Sequence, residues 1–155
     1  MITKAAKETK AQEYLEKNKA HIAEFQQAID TLTEKLKQRA KTHDASKLKE
    51  PELTQYTEAE EKLENFKPGS KSYLTFAQKH HIIFSEHFKK NPHHVEHFKN
   101  GFNDMTLLDL IDVLTDWRLD CGDEDWNKFV DDRKEFYGMD NQVVSIFKNS
   151  KDIFK

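Results

Sequence analysis

The sequence predicts an all-α protein, a single-domain bundle of about six to seven helices. Three observations carry that prediction. The 155-residue chain holds only 4 Gly and 3 Pro, so little punctuates it. Glu, Lys, Gln, Leu and Ala dominate its first half, and these favour helix over sheet. Apolar residues recur at spacings of three and four, the helical period. The length suits one domain with one core, and 11 Phe and 2 Trp supply the bulk such a core needs.

Residues 1–42 read as helix almost without interruption, since no Gly or Pro precedes Pro51. Ile22, Phe25, Ile29, Leu32 and Leu36 form an amphipathic stripe. Thr31 and Glu34 have capping-box spacing, so a second helix is expected to begin near Asp30-Thr31. Pro51 marks a boundary and a helix over 52–65 follows. Pro68-Gly69-Ser70 is a loop. Helix returns over 71–90, carrying Tyr73, Phe76, His80, Ile83, Phe84 and His87, until Asn91-Pro92 interrupts it. A short helix resumes at His93, and residues 101–104 turn the chain. Residues 105–120 form a strong amphipathic helix that Gly122 stops. Two shorter helices fill 124–137 and 140–149. The whole of 1–155 is expected to be one domain, with residues 1–18 as a helical extension.

The formal net charge is −3, which argues against a nucleic-acid polymer as partner. The single Cys121 excludes an internal disulfide and fits a reducing compartment. No apolar stretch approaches the ~18 residues that span a bilayer, and the N-terminus lacks a signal-peptide core. A cytoplasmic protein with no membrane partner is expected.

Chemistry enters with histidine. Six of the eight histidines lie between His80 and His97. Imidazole is a common ligand of first-row metals, and helical proteins build metal sites from side chains on several helices. His87, His93 and His94 bracket the Asn91-Pro92 break, where a bent chain can aim both sides at one centre. His81 and His97 suit plain surface roles, and His80 an orienting role behind a ligand. His43-Asp44 pairs an imidazole with a carboxylate at a helix end. Asp109, Asp112 and Asp116 share one helix face. Asp109 reads as part of a solvated acidic stripe, whereas Asp116, beside Trp117 in an apolar pattern, is expected to face inward.

The order His, His-Asp, His, His, Asp on a helical chain resembles the HD superfamily of metal-dependent phosphohydrolases. His43-Asp44-Ala45-Ser46-Lys47 resembles that superfamily's HD-x-x-K segment. HDASKL, then the run from His87 to His97, then MTLLDLIDVLTDW resemble more closely an uncharacterised HD-like family found in phage and bacterial genomes. The likeness covers roughly residues 20–150.

The resemblance implies the ligand set His21, His43, Asp44, His87, His93 or His94, and Asp116. It sets Lys47 toward phosphate and Asp112 as an acid one turn before the closing Asp. His21 lies 22 residues before His43, about 33 Å on a straight helix. A ligand role for it therefore requires a fold-back near Asp30-Thr31.

The chemistry implied is hydrolysis of a small phosphate ester, such as a nucleotide, by metal-activated water. One or two divalent ions (Mn, Fe, Co, Ni or Zn) suit the His/carboxylate set. Asp44 would act at the centre, with Lys47 and Arg118 neutralising phosphate oxygens and Asp112 as a further catalytic acid. Two alternatives use the same residues. One is an HD-type di-iron oxygenase. The other is a non-catalytic interaction module whose N-terminal stripe pairs with a second copy as a homodimer.

Overall fold

The computed structural model describes residues 4–66, 75–76 and 84–154. The described residues contain helices and no strand. Helix α1 runs from Lys4 to Thr42 without a break. The helix start expected at Thr31 does not occur. Its hydroxyl donates to the Gln27 carbonyl at 2.9 Å, the back-bond of a helix interior and not of a cap. The extension anticipated over residues 1–18 therefore continues as the same helix to Thr42.

At Thr42 the chain divides into two units, Met1–Thr42 and His43–Lys155. The second unit opens on Asp44 with φ 54°, the left-handed region that Asp tolerates better than most residues. A 3₁₀ turn, Ala45–Leu48, and helix α2, Glu52–Glu64, follow. Residues 75–76 and 84–90 are helical. Pro68-Gly69-Ser70, Tyr73, His80, His81 and Ile83 lie outside the described residues.

Asn91-Pro92 ends the 84–90 helical segment as expected. Asn91 donates its side-chain amide to the His87 carbonyl at 2.8 Å, and its own carbonyl accepts from His94 N at 3.0 Å. Two 3₁₀ turns, Val95–His97 and Gly101–Asp104, lead into helix α3, Leu107–Cys121. Gly122, at φ 51°, stops it. Helices α4, Trp126–Tyr137, and α5, Asn141–Asn149, complete the unit. Asp125 and Asp140 cap them by accepting from backbone N–H groups of the first turn.

Asp109 departs from the acidic-stripe reading. It is only 6% exposed and closes a capping box with Thr106 at the start of α3. Its carboxylate accepts from Thr106 N at 2.8 Å and from the Thr106 hydroxyl at 2.6 Å. Satisfying the free amides of a helix start is what draws this charge inside.

The core of the second unit joins α3, α4 and α5. Val113, Trp117, Cys121, Trp126, Val130 and Phe147 are buried there together. The Trp126 indole N–H donates to the Phe147 carbonyl at 3.0 Å, so its one polar atom is satisfied inside the core. Val95 also joins this core, which anchors the chain just after the histidine-rich turn.

Candidate metal centre

Local folding brings four side chains of the second unit to one point. Asp44 comes from the left-handed turn after α1, His87 from the 84–90 segment, and His93 and His94 from the turn after Pro92. One ligand atom from each lies within 4.8 Å of the other three. His87 and His93 are 2% and 5% exposed. Asp44 Oδ1 stands 3.1 Å from His87 Nε2 and 3.1 Å from His93 Nε2. Asp44 Oδ1 and the Nε2 atoms of His87, His93 and His94 are buried without a hydrogen-bond partner. Burying four such atoms unpaired is costly.

The tautomer of His87 makes the point sharper. Its Nδ1 lies 2.8 Å from Glu52 Oε2. Burial raises the Glu52 carboxyl, but the Ser46 hydrogen bond and His87 outweigh this and hold it below its ordinary value. Glu52 is thus a carboxylate that only accepts, so Nδ1 carries the proton. The His87 Nε2 then faces Asp44 Oδ1 at 3.1 Å, and a cation ligated there by a neutral ring would be attracted by the carboxylate as well. An orienting carboxylate behind a ligating imidazole is a recurrent support of metal sites. The residues present therefore fit a bound divalent ion.

Charge states agree with ligation. Burial, reinforced by His93, His87 and Lys47, pushes the His94 imidazole down to about 3, so it is neutral near pH 7. Burial raises the Asp44 carboxyl, but contacts from His87, His93 and Lys47 outweigh it and hold the group well below the usual carboxylate range.

The other face of Asp44 looks toward a second group. Lys47 Nζ donates to Asp44 Oδ2 at 2.6 Å. His43 Nε2 is 3.7 Å from that same oxygen and 3.4 Å from Asp116 Oδ1. The His43 ring also lies against His93, centroids 4.1 Å apart. Asp116 faces inward as expected. Burial and the nearby Asp120 raise its carboxyl, against the opposing pull of His43 and His93.

An open cleft of about 680 Å³ adjoins the cluster. Asp44, His94 and Asp116 line it, with Lys47, Arg133, Glu96, Tyr137 and a set of aromatic rings that includes Tyr56 and Phe88. Lys47 sits 4.9 Å from the Tyr56 ring centre. Arg133 lies over Phe129 at 3.4 Å, and Tyr137 donates to Glu96 at 3.1 Å.

A model of a protein family matches residues 10–153. The chain belongs to DUF5662, a family of unknown function. No curated protein and no solved structure matches it. The match spans every side chain of the cluster, so in this DUF5662 protein the centre lies within the part of the chain that defines the family.

Not every expected residue of the DUF5662 chain reaches this centre. His21 is exposed on α1, 21 residues from the helix end at Thr42, about 32 Å along a continuous helix. The fold-back that a ligand role required is absent, so His21 is not part of the cluster. Asp112 is half-buried on α3, one turn before Asp116, and is not among the cleft-lining residues. Arg118 donates to the Gly122 carbonyl at 3.3 Å, over the Trp126 ring, and is likewise absent from the cleft wall. Arg133, for which no role was expected, lines the cleft instead. His97 is exposed and donates Nδ1–H to the Lys89 carbonyl at 2.6 Å, a plain surface role. Glu52, Ser46 and Arg133 were not singled out by sequence reasoning, because each is an ordinary polar residue on an amphipathic or turn segment. Only the 35-residue separation closed between Glu52 and His87 marks the first of them.

Proposed function

We propose that this protein is a metal-dependent phosphohydrolase acting on a small phosphate ester such as a nucleotide. The observation that carries the reading is the set of four buried ligand atoms without hydrogen-bond partners, beside a cleft that Asp44 and His94 line. His87, His93, His94 and Asp44 Oδ1 would hold the ion. His and carboxylate without thiolate suits Mn, Fe, Co, Ni or Zn. When bound, a divalent ion acidifies water and offsets negative charge on phosphoryl oxygens.

The cleft's own charges support metal dependence. Asp44, Glu96, Asp116, Asp120 and Asp132 line it against two cations, Lys47 and Arg133. A phosphate dianion entering this wall alone would meet net repulsion, so the reading needs positive charge at the cluster. Lys47 and Arg133 then serve to orient the phosphate, Lys47 as a point charge and Arg133 as a planar fork. The stacked Tyr56 and Phe84 rings, 3.8 Å apart, wall off solvent beside Lys47. With Lys47 seated on Asp44 Oδ2, the reading favours one ion on the Oδ1 side. A second ion, at His43 and Asp116, requires Lys47 to move.

The test is metal content of tag-free protein by mass spectrometry beside Asp44→Ala, followed by a phosphate-ester screen with each metal. The expected result is about one equivalent of a transition metal, lost in Asp44→Ala with helicity kept, and phosphate release by the parent alone. A metal-loaded protein inert toward every phosphate ester overturns the hydrolase reading. Iron with oxygen consumption instead would assign the same ligands to oxygen chemistry. Failure to bind any added metal overturns the centre itself.

A further inference from the structure

The 39-residue helix α1 carries an apolar seam that the candidate centre does not use. Its large apolar residues Leu15, Ile22, Phe25, Ile29, Leu32 and Leu36 keep to alternating three- and four-residue steps, with Asn18 filling the one polar step. Four of them are widely exposed: Leu15 46%, Ile22 55%, Phe25 61% and Ile29 44%. A helix this long with its apolar stripe in water is under-stabilised, because helices in proteins depend on packing of that stripe.

The spacing says what covers it. A strict seven-residue repeat drifts by ~20° per heptad on a straight helix, so across the three heptads here it spirals off any flat surface. Only another helix coiling with it follows the seam. We infer that the α1 seam is a dimerisation surface, and that its occupant is the α1 of a second copy of this chain in a parallel, in-register coiled coil.

Residue choice along the seam supports a copy in that orientation. With Leu15, Ile22, Ile29 and Leu36 at the a positions, Phe25 and Leu32 fall at d. Ile22 and Ile29 at a with Leu32 at d follow the pattern of two-stranded parallel coils in the central heptads. Each layer then meets its own kind. Positions e and g flanking the seam carry no acid and only two lysines, Lys19 and Lys35, with His21 opposite Gln26 of the second copy. In the parallel register the lysines face Tyr14 and Ala40 of the second copy, so no like charges oppose each other. Asn18 donates one amide hydrogen to the Tyr14 carbonyl at 2.7 Å, and its Oδ1 and second N–H would pair with the Asn18 of the second copy in the in-register layer.

The test uses the full chain. Sedimentation equilibrium across micromolar concentrations is expected to give twice the 18.3 kDa chain mass. Ile22→Glu with Ile29→Glu is expected to return it to the monomer while metal content and the unfolding transition of the remainder persist. Gln27→Glu, on the opposite face, is expected to leave the dimer intact. Phe25→Cys under mild oxidation is expected to cross-link through its own equivalent, with the parent, whose Cys121 is buried, as control. A monomeric parent overturns the inference. So does a dimer indifferent to the paired glutamates. A seam-dependent dimer that never cross-links at position 25 overturns the parallel register.

Discussion

At the residue scale Asp44 and Glu52 address the two ring nitrogens of His87, Nε2 and Nδ1. Glu52 fixes the His87 tautomer from 2.8 Å, so its charge and its shape have separable effects. Glu52→Gln keeps the shape but offers an amide that can present either atom to Nδ1. Metal affinity is expected to fall by ~10–100-fold, the range found for such supporting groups, with near-parent folding. Titration calorimetry or competition with a chelating dye reads this directly, and an unchanged affinity would refute the orienting role. His97→Ala is expected to leave metal content and activity at parent values, because that ring reaches only the Lys89 carbonyl. A large loss would mean that His97 faces the centre. Asp44 was legible in the sequence through the His-Asp pair, whereas His43 and Asp116, also expected as ligands, lie beside the cluster and not among its four side chains. The choice between His93 and His94 was not legible. Both belong to the cluster, because the turn after Pro92 lays the two rings side by side at 4.2 Å.

At the element scale, helix ends explain most of the architecture and one misplaced residue. The helices over 107–121, 126–137 and 141–149 fall where apolar period and stop signals put them, within a residue or two of expectation. The Thr106-Leu107-Leu108-Asp109 sequence is a capping box that was open to reading, yet three aspartates on one face looked like a solvated stripe. A carboxylate that accepts two hydrogen bonds at a helix start is stabilised there by the helix dipole as well. Thr106→Ala is expected to cost about 1 kcal/mol of stability, seen as a lower urea midpoint with an unchanged slope. Metal content should stay at the parent level, because α3 persists once packed. A midpoint within error of the parent would show the cap to be redundant. The α1 result has the opposite cause. Thr31 and Glu34 have cap spacing, but nothing in the sequence between residues 4 and 42 interrupts the backbone hydrogen-bond ladder, so the helix continues and the Thr31 hydroxyl folds back on Gln27.

At the scale of the whole molecule, a bound ion would link the segment at residues 43–44 to the stretch from 87 to 94. Anything that binds the folded state alone stabilises it by mass action. Chelation is therefore expected to lower the melting temperature, and re-addition of the same metal to restore it. A melting curve indifferent to chelator, in protein shown to lose its metal, would make the ion structurally inert. Among the described residues no helix is long and apolar enough to cross a membrane. What the sequence by itself determined is the helical class, the bounds of the last three helices and the His and Asp side-chain types of the cluster, because these rest on local period, local caps and the chemistry of single side chains. The tertiary structure alone decided which ligands share a centre. His21 drops out because an uninterrupted helix is rigid over some 30 Å. Glu52 enters because α2 brings it against His87. Arg133, and not Arg118, lines the cleft because Arg118 is spent on the carbonyl that ends α3. The Glu52–His87 contact closes a separation of 35 residues, which no local pattern encodes.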